Sequence, residues 1–164
     1  MADLRANANS TGKLTVAAAA TIIALSAAWL VKPQEGYSAT PYRDIVGKWT
    51  WCYGETQGPM QQRYTRAECD ALLHDSLGKY LTELQACIHA PLRQHEWAAL
   101  LSWAYNVGSA SACKSTLVRK INAGAGPAEF CPELRKWVYA GGRKVKGLER
   151  RREAEFRVCM GYEP

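Results

Sequence analysis

The stretch Asp44-Ile45-Val46-Gly47-Lys48-Trp49-Thr50-Trp51-Cys52-Tyr53-Gly54, followed by Thr65-Arg66-Ala67-Glu68, marks a change of texture in the chain. Aromatic and β-branched residues bounded by turn-forming residues read as short hairpin strands. Thr65 to Glu68 has the capping-box pattern, in which a hydroxyl and a carboxylate three residues apart satisfy the first free N–H groups of a helix. It opens a run with Leu72, Leu73, Leu77, Leu81 and Leu84 at helical spacing. Helical periodicity predicts further helices over 93–106, 115–123, 127–139 and 147–160, punctuated by Gly124, Gly126, Gly141 and Gly142. A small hairpin sheet followed by a mostly helical body is an α+β arrangement. The 164 residues suffice for one such domain.

Upstream lies a different kind of sequence. Leu14 to Val31 is a run of 18 residues without a charge, bracketed by Lys13 and Lys32. As a helix it would reach roughly 27 Å, just short of the hydrocarbon thickness of a bilayer. Seven of the 18 are alanine, and Thr15, Thr21 and Ser26 add hydroxyls. The strongly apolar aliphatics contribute only about −3 kcal/mol toward insertion, so the segment is a marginal span. A cleaved signal peptide, with Ser26-Ala27-Ala28 before the cut, and a permanent anchor are both open readings. A weak anchor able to leave the bilayer fits the alanine-rich composition best. Lys32-Pro33 closes the run.

The net charge of +6 falls almost wholly after residue 31, because the first 31 residues hold only Asp3, Arg5 and Lys13. A basic domain suits a polyanion. Nucleic acid, anionic lipid and anionic wall polymer all qualify, and charge alone does not choose. Six cysteines (Cys52, Cys69, Cys87, Cys113, Cys131 and Cys159) beside an export-like segment favour disulfides over free thiols, with fifteen pairings open. No CxxC or HxxxH spacing occurs and His74, His89 and His95 are scattered, so no metal is expected.

Glycoside hydrolysis needs one carboxyl group to protonate the leaving oxygen and a second to activate water or stabilise a cationic transition state. Glu35 and Asp44 stand nine residues apart, and Thr50 lies six further on, across the hairpin. Two solvated carboxylates at this spacing are common in soluble domains, and the spacing alone names no chemistry.

The flanking residues are more specific. Glu35-Gly36, Pro41 through Thr50 and Cys52-Tyr53-Gly54-Glu55-Thr56 closely resemble the active-site region of the phage lysozymes, muramidase endolysins that end a lytic cycle. The likeness continues at Trp103-Ala104-Tyr105-Asn106-Val107-Gly108, Ser115-Thr116-Leu117 and Leu134-Arg135-Lys136-Trp137. It ends with Tyr139-Ala140-Gly141-Gly142, Lys146-Gly147-Leu148 and Arg151-Arg152-Glu153. The resemblance implies a lysozyme-like fold over 33–164, after a membrane-release segment over 1–32. It implies cleavage of the β-1,4 bond of peptidoglycan, with Glu35 as general acid, Asp44 as the carboxylate acting on water and Thr50 helping to hold that water. Asn106 matches a polar residue near the family's cleft, and Arg151 and Arg152 are candidate contacts for substrate carboxylates. Glu55 stands where many relatives have histidine, a position that tunes the cleft rather than running the reaction. Other members carry cysteines matching Cys87 and Cys113, which points to that pair. No cofactor, metal or nucleic acid is implied. The partners are the glycan strands and, through residues 14–31, the inner membrane, with a monomer after release.

Glu35 lies four residues beyond Val31, so an inserted segment would hold the acid at the membrane surface. This resembles the signal-arrest-release endolysins, silent while tethered with the catalytic domain in the periplasm and active once the helix leaves the bilayer. The variant of that control in which a cysteine within the segment rearranges disulfides does not apply, because the first cysteine is Cys52. Two other functions fit parts of the sequence. A lytic transglycosylase needs the Glu without the Asp/Thr pair, and a non-catalytic wall- or membrane-disrupting module needs only the basic charge and the apolar run.

Overall fold

A computed structural model describes residues 13–44 and 46–163. Thr15 opens the N-terminal helix by accepting the Ala18 N–H at 3.2 Å. Three segments then form one helical run, Val16–Gln34: α1 (Val16–Leu25), a π-helical stretch Ser26–Val31, and α2 (Lys32–Gln34). One face of this run enters the body of the protein. Ala18, Ile22, Ile23, Ser26, Leu30 and Val31 are buried, whereas Val16, Ala17, Ala20, Ala24 and Ala28 are exposed. Ile22, Ile23, Leu30 and Val31 belong to the same apolar core as the rest of the chain. The position expected as a domain boundary, 32/33, thus lies inside this helical run.

Residues 38–52 form the expected hairpin, β1 (Ser38–Arg43) antiparallel to β2 (Trp49–Cys52), with Tyr42 opposite Thr50. Next comes α3 (Arg66–Cys87). Its capping box is present as read: Thr65 Oγ1 accepts the Glu68 N–H at 3.2 Å, and Glu68 Oε2 accepts the Thr65 N–H at 2.7 Å. Leu73, Leu77, Leu81 and Leu84 face inward, and Gly78 lies against the N-terminal helix, where a Cβ would make ordinary contact 3.9 Å from Ile23 Cδ1. The centre is α4 (Gln94–Val107), in which every residue from Glu96 to Ala104 is buried, so the helix is surrounded rather than amphipathic. It packs against α1, α3 and α8 (Lys146–Cys159).

Between α4 and α8 run α5 (Ser109–Cys113), α6 (Thr116–Asn122) and α7 (Pro127–Phe130), then a 3₁₀ turn Cys131–Lys136 and a small hairpin, β3 (Tyr139–Ala140) with β4 (Arg143–Lys144). The single helix expected over 127–139 is therefore two short pieces. Pro132 has no N–H to continue an α-helical ladder and clashes with the preceding turn. Three disulfides join the elements: Cys52–Cys69 links β2 to α3, Cys87–Cys113 links the end of α3 to α5, and Cys131–Cys159 links the 3₁₀ turn to the end of α8. The Cys87–Cys113 pair is the one the family resemblance implied.

Candidate active site

Glu35 ends the N-terminal helix. Its N–H still donates to Val31 O at 2.8 Å, but its backbone has turned extended (φ −85°, ψ 136°), which swings the side chain out of the helical path. Glu35 Oε1 accepts from Arg151 Nη1 at 2.5 Å. Its other oxygen faces Gly54, where a Cβ would lie 3.7 Å away on a backbone already at φ +99°. Only glycine enters that conformation without strain. The loop around Gly54 is a tight turn closed by Trp51, whose N–H donates to Glu55 O at 3.0 Å and whose carbonyl accepts the Glu55 N–H at 2.9 Å. The turn also places Cys52 at a positive φ of 54°.

These residues form one wall of a cleft of about 680 Å³. Glu35, Tyr53, Gly54 and Glu55 line one side, and Asp75, Ser76, Lys79, Tyr80 and Glu83 of α3 line the other, with Tyr105 and Asn106 at the end of α4. The α3 residues recur at helical spacing, and Leu73, Leu77, Leu81 and Leu84 are the buried residues of the same helix. Their alignment with the hairpin is a tertiary outcome, and only their shared helix face was legible in the sequence. Glu55 is half-buried and accepts from Ser76 Oγ at 2.8 Å. Burial pushes its carboxyl above the ordinary glutamate range, against the pull of Ser76 and Lys79. Burial likewise raises the Tyr105 hydroxyl, which donates to Tyr53 O at 3.2 Å.

Asp44 and Thr50 sit on the adjoining hairpin and are not among the residues lining this cleft. Asp44 Oδ1 accepts the N–H groups of Val46 at 3.0 Å and Lys48 at 2.8 Å, which closes the hairpin turn. Thr50 is buried, and its hydroxyl donates to Lys48 O at 3.2 Å. The structure therefore brings Glu35 and Asn106 to the cleft, while Asp44 lies in the turn of the β1–β2 hairpin and Thr50 on β2, both outside its lining.

Arg151 and Arg152, read from the sequence as substrate contacts, are both buried, at 5% and 0% exposure. On α8 both turn toward α4, and neither is among the residues lining the cleft. Arg151 Nε donates to Glu155 Oε1 at 3.3 Å while Nη1 reaches Glu35. Arg152 lies 2.8 Å from Glu155 Oε2 and donates to Asn106 Oδ1 at 3.0 Å. Ser102 Oγ completes the cluster by donating to Glu155 Oε1 at 2.7 Å. Burial pushes the Glu155 carboxyl up and Arg152 down, each opposed by the charge of the other. The two guanidinium groups thus stand behind Glu35 and Asn106 as their support.

A second network ties the base of the N-terminal helix. Lys32 Nζ lies 2.8 Å from Asp70 Oδ1, which also accepts from Tyr53 OH at 2.9 Å. Lys32, and then Tyr53, hold the Asp70 carboxyl below the usual aspartate range. Among the described residues, no group of His, Cys, Asp and Glu is placed to hold a metal ion.

The sequence profile of the Phage lysozyme family matches residues 32–155. The SAR-endolysin of Enterobacteria phage PA-2 is 43% identical over 128 residues, 77% of each chain. The muramidase domain of SpmX from Asticaccaulis excentricus superposes with a TM-score of 0.72 at 25% identity, over 90% of this chain and 97% of that one. The active form of the P1 phage endolysin Lyz gives 0.71 at 21% identity, over 90% and 94%, whereas its secreted inactive form gives 0.51 at 20%, over 88% and 94%. With its hairpin, central helix and N-terminal helix in this arrangement, the chain belongs to the phage lysozyme family.

Proposed function

We propose that the chain is a phage endolysin that hydrolyses the β-1,4 bond between N-acetylmuramic acid and N-acetylglucosamine in peptidoglycan, and so lyses the host. The observation carrying this reading is Glu35 on the wall of the cleft, aimed by Arg151 from behind. Glu35 donates a proton to the glycosidic oxygen as the bond to the sugar breaks. Asp44 takes a proton from the attacking water, and Thr50 helps to hold that water. Such a pair gives inversion when the carboxyls are separated widely enough to admit a water, about 6.5–9.5 Å. Glu35→Gln should lower turbidity clearance of permeabilised Gram-negative cells by about a thousandfold, the scale of a general acid. Mass spectrometry of wild-type products should find reducing ends, and anhydro ends would establish transglycosylation instead.

The enzyme is exported with its N-terminus inside, tethered to the host inner membrane by residues 14–31 and inactive, and becomes a soluble periplasmic monomer on release. Two observations support this. The apolar run that suits a bilayer here fills the protein core, so it cannot do both at once. The overall fold is also nearer to the active than to the secreted inactive form of the P1 endolysin. Depolarising cells that express the full chain should lyse them without a pore protein, and strict dependence on a separate holin would overturn the release model.

A further inference from the structure

The cleft has a charge unlike that of the chain around it. The whole protein carries +6, yet the lining includes four carboxyl side chains, Glu35, Glu55, Asp75 and Glu83, against one ammonium, Lys79. Glu83 accepts from Ser109 Oγ, Asp75 is exposed, and Glu35 is held by Arg151. Glu55 is different. Its backbone is fixed in both directions by Trp51, and one carboxyl oxygen is tied to Ser76 Oγ at 2.8 Å. Among the described residues nothing bonds its second oxygen. A half-buried acceptor held this rigidly in a substrate cleft, with one lone-pair face unused, is placed to select a donor on the ligand.

We propose that Glu55 is a specificity-determining residue that accepts a hydrogen bond from a nitrogen-borne donor on the glycan and favours an ammonium over an acetamide N–H. The inference rests on the reading of this cleft as the glycan site. The preference follows from charge. A carboxylate bonds a cationic donor more strongly than a neutral one, and partial burial sharpens the difference. De-N-acetylated stretches of the glycan, which bear free amines, would thus gain at Glu55 part of what they lose in acetyl contacts.

Binding can be read without turnover by using Glu35→Gln as the background. Isothermal titration with β-1,4-linked tetrasaccharides of N-acetylglucosamine and of glucosamine then gives two Kd values for each variant at pH 7. Adding Glu55→Gln should weaken binding of the amine-bearing glycan about tenfold more than that of the acetylated one, whereas Glu55→Asp should keep most of the discrimination. Lys79, Asp75, Glu83 and Tyr80 on α3 and Tyr105 on α4 also face the site and are unchanged in these variants. Equal weakening of both glycans by Glu55→Gln overturns the inference while leaving the cleft reading intact. If neither glycan binds, or if Glu35→Gln still cuts peptidoglycan, the cleft reading itself fails.

Discussion

Arg151 holds Glu35 and Glu155 at once, with its own guanidinium almost wholly buried. Removing one partner of such a cluster leaves buried charge uncompensated, which costs on the order of 3 kcal/mol. Arg151→Ala should therefore lower urea-unfolding stability by about that amount and reduce clearance activity, with Glu35 no longer aimed. The place of Glu35 at the cleft agrees with the sequence motifs, which singled out this one carboxyl among many. The role of Arg151 and Arg152 was harder to see. In the run Arg150-Arg151-Arg152, residue type does not say which members point inward. The pattern Arg151, Arg152, Glu155, Val158 and Cys159 does, because these are the buried positions of α8 and recur at helical spacing. A Glu three and four residues beyond two arginines on that inward stripe marks a buried ion cluster rather than a solvated face.

At the scale of elements, the hairpin and the capped start of α3 were predicted from turn residues and a four-residue motif, since both are decided locally. The α5 helix, the β3–β4 hairpin and the π-helical stretch were not, because each is short and owes its form to packing. The docking of the N-terminal helix is likewise non-local. Ile22→Ala should destabilise the folded enzyme by about 2–5 kcal/mol, as expected for a fully buried aliphatic side chain, and calorimetry would measure it. The Lys32–Asp70 pair adds a pH-dependent hold. Its carboxyl titrates below the ordinary aspartate range in the folded state, so its contribution is present above that range and lost as pH falls through the depressed value. Protection factors over 16–34, corrected for the intrinsic pH dependence of amide exchange, should fall in acid, and Lys32→Met should reduce that fall.

The whole molecule combines a core spread over every major helix with three covalent ties. The cysteine count was readable, but beyond the Cys87–Cys113 pair that the family resemblance implied the pairing was not, because proximity in space is set by how α3, α5 and α8 pack. The disulfides span 17, 26 and 28 residues, and loops of that size stabilise by about 3 kcal/mol each in the chain-entropy account. Full reduction should thus lower the melting temperature far more than any single surface substitution. The two-faced N-terminal helix has a different consequence. Ile22, Ile23, Leu30 and Val31 are sheltered from water in either home, lipid or protein, so they bear little on the choice between them. Ala17, Ala20, Ala24 and Ala28 are sheltered only in lipid, because in the folded enzyme they meet water. On the release model proposed above, these four small side chains, with the exposed Val16 and Trp29, weigh on the partition of the helix between lipid and protein. Replacing them with leucine would add about 0.5 kcal/mol each toward the bilayer while touching nothing in the core. Such a chain should remain active in detergent extracts yet fail to lyse depolarised cells, an outcome that would make the exposed alanines the timing element of release.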